Sequence, residues 1–76
     1  MANEKKNAQK TEKLGRNLAK LRAKADLTQE ELAEAADIST RYVQDLEAGL
    51  YSPTIWVADS LRKALNCSWD DLMRGV

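Results

Sequence analysis

The sequence predicts an all-α fold, a compact bundle of about five short helices. Three observations point there. Apolar residues recur at helical spacing in separate stretches: Leu14, Leu18, Leu21 and Ala25; Leu32, Ala33 and Ala36; Ile55, Ala58, Leu61 and Leu65. Hydroxyl residues suited to capping a helix, Thr28, Ser39 and Ser68, stand just ahead of such stretches. Residues that end helices, Asp37, Gly49, Pro53 and Asn66, stand behind or between them. A chain of 76 residues makes one domain with a small core.

Residues 1–10 carry almost nothing to bury and are expected to form a disordered basic tail. Lys5, Lys6 and Lys10 could meet phosphates there, or simply keep the chain soluble. The helical domain is expected over residues 11–76. Thr11 is a plausible cap for a first helix running to about Ala25, with Lys13, Arg16, Lys20 and Lys24 mostly off its apolar stripe. Gly15 falls near its start, where it is tolerable.

Residues 28–49 form the centre of the chain. Thr28 and Glu31, three apart, make a capping box for a second helix. Leu32, Ala33 and Ala36 fall on one side of it, and Glu30, Glu31 and Glu34 largely on the other. Asp37 stops it, because an Asp takes the left-handed conformation at modest cost. Ile38 plugs the turn, and Ser39 caps a third helix that buries Val43 and Leu46 and turns Thr40, Arg41, Gln44 and Asp45 outward. Gly49 ends it.

Pro53 ends any continuation and sets up a fourth helix, capped by either Ser52 or Thr54. Ile55, Ala58, Leu61 and Leu65 form its stripe, and Asp59 and Arg62 are spaced to pair. Asn66 ends it, Cys67 plugs the turn, and Ser68 caps a short fifth helix. Asp70 and Asp71 favour the N-terminus of that helix, and Trp69, Leu72 and Met73 supply its apolar face.

Composition limits the function. There is no apolar run of membrane-spanning length and no signal-peptide core, so a cytoplasmic protein is expected. Cys67 is the only cysteine, which rules out an intrachain disulfide. With no His, no Gly-rich phosphate loop and no paired Cys, no catalytic centre and no cofactor or metal site are expected. Net charge is zero but unevenly spread: residues 1–24 carry +6, residues 25–50 carry −6, and the remainder balances.

The stretch 28–49 resembles the helix-turn-helix of the lambda-repressor-like (Cro/Xre) DNA-binding family. Gln29, Leu32, Ala33, Ile38, Val43 and Leu46 match at fixed spacing, and the resemblance extends over roughly residues 13–73. Asp37 departs from it, since the family usually has Gly there. Asp59 and Arg62 stand where it often has apolar residues, and Trp56 where it is usually polar. The resemblance implies a sequence-specific DNA-binding transcriptional regulator, a repressor acting as a homodimer on a near-palindromic operator. It also implies an ion pair between Arg22 and Glu47, and a phosphate contact from Gln29 that buttresses the third helix.

In a helix-turn-helix the N-terminal residues of the second helix of the motif meet base edges in the major groove. Here these are Thr40, Arg41, Gln44 and Asp45. Arg41 suits guanine O6 and N7, Gln44 suits adenine, Thr40 a thymine methyl and Asp45 a cytosine amine. Ser39, Tyr42, Tyr51 and Ser52 are expected to donate to phosphates. Zero net charge and Trp56 support a different expectation, a protein-interaction module such as an antitoxin or accessory subunit. Its partner would dock at Trp56 and the fifth helix.

Overall fold

A computed structural model describes the backbone of residues 4–76 and the side chains of residues 8–76. The elements are α1 (Glu4–Lys24), α2 (Gln29–Ala36), α3 (Thr40–Glu47), α4 (Ile55–Leu65) and α5 (Trp69–Met73). Among the described residues no helix is long and apolar enough to cross a membrane.

The caps are formed by the residues that suit them chemically. Thr28 Oγ1 accepts from the Glu31 amide at 3.0 Å, and Glu31 Oε1 accepts from the Thr28 amide at 2.9 Å. Asp37 then closes α2 at φ 58°, its amide donating to Glu34 and that of Ile38 reaching back to Ala33 at 3.0 Å. Ser39 caps α3, and Thr54 rather than Ser52 caps α4. Asn66 ends α4 in the left-handed region, and Ser68 and Asp71 form a second capping box on α5.

The core is Leu18 from α1, Leu32, Ala33 and Ala36 from α2, Val43 and Leu46 from α3, Ala58, Leu61 and Leu65 from α4, and Leu72 from α5. Ala33 is 2% exposed. A longer side chain there would collide with the tightly packed helices around it.

Four expectations from sequence need correction. Residues 4–10 are helical, so α1 begins at Glu4 and not after Thr11. The segment is rich in Glu, Lys, Gln and Ala, which favour helix, and extending a helix already fixed by packing costs little. Residues 1–3, and the side chains of Lys5 and Lys6, lie outside the described residues. Ala25 is exposed because α1 ends at Lys24 and the chain turns through Asp26 at φ 60°. Ile55 is 68% exposed because it occupies the first turn of α4, beyond the edge of the core. On α5 only Leu72 is buried, while Trp69 and Met73 are 41% and 43% exposed. A five-residue helix closes the core with a single side chain.

Two close contacts hold α1 in place. A Cβ on Gly15 would lie 2.5 Å from the Leu46 carbonyl oxygen and 2.8 Å from that of Glu47. Gly15 is therefore where α1 passes against the backbone of α3. Asn17, a buried amide, donates to the carbonyls of Leu72 and Arg74, both at 2.9 Å. It ties α1 to the end of α5.

Candidate nucleic-acid interface

The candidate surface is built on α3, and the sequence of α3 determines which side chains it presents. Val43 and Leu46 are buried three apart, which turns Arg41 and Gln44 outward. Thr40, Tyr42 and Asp45 are half-buried. Ser39 Oγ accepts from the Tyr42 amide at 3.0 Å and so fixes the first turn.

Arg41 has its side chain 82% exposed, and its Nε donates to Asp45 Oδ1 at 3.2 Å. The pair spans one helical turn. Asp45 thus holds one edge of the Arg41 guanidinium and leaves the other edge toward solvent. The sequence suggests two independent base readers, although a spacing of four on a helix also allows this contact.

The far end of α3 is anchored. Arg22 Nε donates to Glu47 Oε2 at 2.6 Å and Arg22 Nη2 to Glu47 Oε1 at 3.0 Å, a two-pronged ion pair. Hydrogen bonding to Glu47 holds the Arg22 guanidinium pKa above its ordinary value, against the opposing effect of burial. Arg22 Nη1 also donates to the Leu27 carbonyl at 2.9 Å. From the start of α2, Gln29 Nε2 donates to Glu47 Oε1 at 3.1 Å. One carboxylate therefore joins α1, α2 and α3.

Tyr51 and Ser52 lie exposed in the α3–α4 loop, which leaves α3 through Gly49 at φ 77°. The Gly49 position passes within 2.9 Å of the Glu12 Cα, measured from an added Cβ, so it too must stay a glycine. Tyr51 also lines a small gap in the core with Leu14, Leu46 and Leu61. Tyr42 packs against the core. Both tyrosines therefore carry structural load as well as a hydroxyl group.

The charge segregation acquires a spatial meaning. Glu30, Glu31 and Glu34 lie on the exposed side of α2. The α1 lysines Lys13, Lys20 and Lys24 line a groove against the α4–α5 turn, nearly half a turn of helix away from Gly15 and Arg22, which face α3. The basic stripe of α1 and the outward face of α3 are thus on different sides.

Exposed apolar side chains lie in and just after the α3–α4 loop, Leu50 at 63%, Tyr51 at 56%, Ile55 at 68% and Trp56 at 79% exposure. Further along α4, Arg62 Nη2 and Lys63 Nζ reach the two oxygens of Asp59 at 2.9 and 3.1 Å, and Arg62 lies 5.2 Å over the Trp69 ring.

Comparison with known proteins agrees with this architecture. A family model described as helix-turn-helix matches residues 18–72, from the middle of α1 into α5. The HTH-type transcriptional regulator y4dJ of Sinorhizobium fredii, itself uncharacterized, is 37% identical over 60 residues, covering 79% of this chain and 78% of the relative. The HTH-type transcriptional regulator DdrOP3 of Deinococcus deserti is 36% identical over 64 residues, covering 84% of this chain and half of the relative. No solved structure matches significantly. With two helices joined by a capped tight turn and a family match over most of its length, the chain belongs to the Cro/C1-type helix-turn-helix family of DNA-binding transcriptional regulators.

Proposed function

We propose that the protein is a cytoplasmic repressor that binds a near-palindromic operator as a homodimer, reading base edges with the N-terminal half of α3. The observation that carries this is the exposed Arg41, held on one edge by Asp45, on a helix whose other end is fixed by the Arg22–Glu47–Gln29 network. A guanidinium oriented by a neighbouring carboxylate suits guanine O6 and N7. Gln44 lies one turn from Thr40 and reads a neighbouring base, with Thr40 against a thymine methyl. Asp45 acts chiefly by orienting Arg41, which leaves cytosine contact as its secondary role.

Phosphates on either side are held by the free amides at the start of α2 and α3, by Gln29 and Ser39, and by the hydroxyls of Tyr42, Tyr51 and Ser52. Exposed Tyr51 and Ser52 suit this task best, since Tyr42 is half-buried. With Arg41 the one Lys/Arg in residues 25–50, a single domain binds weakly. Two domains on half-sites about 34 Å apart supply the affinity. The exposed Leu50, Tyr51, Ile55 and Trp56, in and just after the α3–α4 loop, are the proposed contact between copies.

The same side chains favour a second reading, a protein-interaction module with weak DNA binding, in which Trp56 and α5 receive a different protein. Selection from a random duplex library separates the two. Enrichment of an inverted repeat supports the operator reading. No enrichment, with retention of a protein partner that is lost in Trp56→Ser, supports the other.

A further inference from the structure

The groove between α1 and the α4–α5 turn has no part in the DNA-binding reading, and its chemistry is specific. It encloses about 510 Å³, within the range of small-molecule sites. Lys13, Lys20 and Lys24 line one side and Arg74 lies at the end. Lys20 and Lys24 are about 6 Å apart along the helix axis, and Lys13 is about 10 Å further back. Among the described residues none of these three lysines is in an ion pair.

Leu21, Ala25, Leu65 and the half-buried Cys67 form the apolar part of the floor, beside the side-chain amides of Asn17 and Asn66. Burial pushes the Cys67 thiol pKa up, which keeps it neutral. The one carboxylate in the lining is Asp71, engaged with the Ser68 amide at 3.2 Å and with Arg74 at 3.5 Å, and near enough to Lys24 to feel its charge without pairing with it. Cations above an apolar floor match a ligand that has a negative group and an apolar body.

From these features we infer that the groove binds a small amphiphilic organic anion, an aromatic body bearing phosphate, of mononucleotide size. The phosphate sits among Lys20, Lys24 and Arg74, and the body lies over Leu21, Leu65 and Cys67. The site is separate from the α3 surface, so it stands whether or not α3 reads an operator.

The test uses amide correlation spectra of the full chain titrated separately with adenosine monophosphate, adenosine and inorganic pyrophosphate. Adenosine monophosphate is expected to give saturable shifts at Asn17, Lys20, Lys24, Asn66 and Cys67. Adenosine and pyrophosphate are each expected to bind tenfold or more weakly. Lys20→Glu/Lys24→Glu is expected to weaken the nucleotide tenfold or more. Lys20→Gln/Lys24→Gln gives the same reading should charge reversal disturb the fold.

Failure to saturate, shifts centred on the starts of α2 and α3, equal binding of pyrophosphate, or undiminished binding by the variants would each overturn the inference. Operator selection is scored in a different experiment, so the two readings fail separately.

Discussion

Arg22 and Glu47, 25 positions apart, meet through two hydrogen bonds of 2.6 and 3.0 Å between the last turn of α1 and the end of α3. The Glu47 side chain is 8% exposed and that of Arg22 21%. Arg22→Ala leaves a nearly buried carboxylate with Gln29 as its remaining side-chain donor. The expected loss is about 2–4 kcal/mol, since stranding one partner of a buried pair costs more than the pair is worth. Urea denaturation measures it. A double-mutant cycle with Glu47→Ala should show coupling, and additive losses would contradict the network.

Gly15→Ala should destabilise, although Ala is the better helix former by about 1 kcal/mol. The added methyl meets the backbone carbonyls of Leu46 and Glu47, neither of which can rotate away. A loss of about 1–3 kcal/mol follows from overpacking. In a domain of this size each kcal/mol lowers Tm by about 4–8 °C, so a thermal melt resolves it. A Tm equal to or above that of the parent would refute the close approach of α1 to α3.

Asn17→Leu should loosen α5 selectively. The amide is the link from α1 to the carbonyls of Leu72 and Arg74. Leaving the buried Leu72 carbonyl unpaired costs about 1–3 kcal/mol. Amide exchange should quicken in α5 more than in α2 and α3. Uniform acceleration throughout the chain would mean that Asn17 supports the whole core instead.

Acid should weaken the α4–α5 end first. Hydrogen bonds from Arg62 and then Lys63 hold the Asp59 carboxyl below the usual range, and the Ser68 amide and hydroxyl do the same for Asp71. Carboxyls with lowered folded values contribute stability that is full above about pH 4 and lost as pH falls through those values. Tm measured from pH 6 down to pH 2 should fall in the acid limb, and less steeply for Asp71→Asn. An unchanged slope in that variant would mean that Asp71 does not contribute to the acid sensitivity.

Much of this architecture is legible in the sequence because its signals are local. The Thr28–Glu31 box, the left-handed Asp37 and Asn66, the Ser39 cap and the Asp59–Arg62 pair each depend on residues within four positions of one another. Other features depend on elements far apart. Gly15 reads as an ordinary helix glycine until α3 is laid across it, and Asn17 as a surface amide until α5 arrives. Ile55 fits a helical stripe but falls beyond the rim of the core, which periodicity cannot reveal. The Arg41–Asp45 contact is compatible with their spacing of four, but spacing alone does not separate it from two independent base contacts.

Base reading by the exposed face of α3 is best checked by titrating a selected duplex with the parent chain and with Arg41→Ala. At each of two salt concentrations, Arg41→Ala is expected to lose about 1–3 kcal/mol on the selected duplex and much less on a scrambled one. Equal losses on both duplexes, or the same loss from an Arg74→Ala control far from α3, would contradict it.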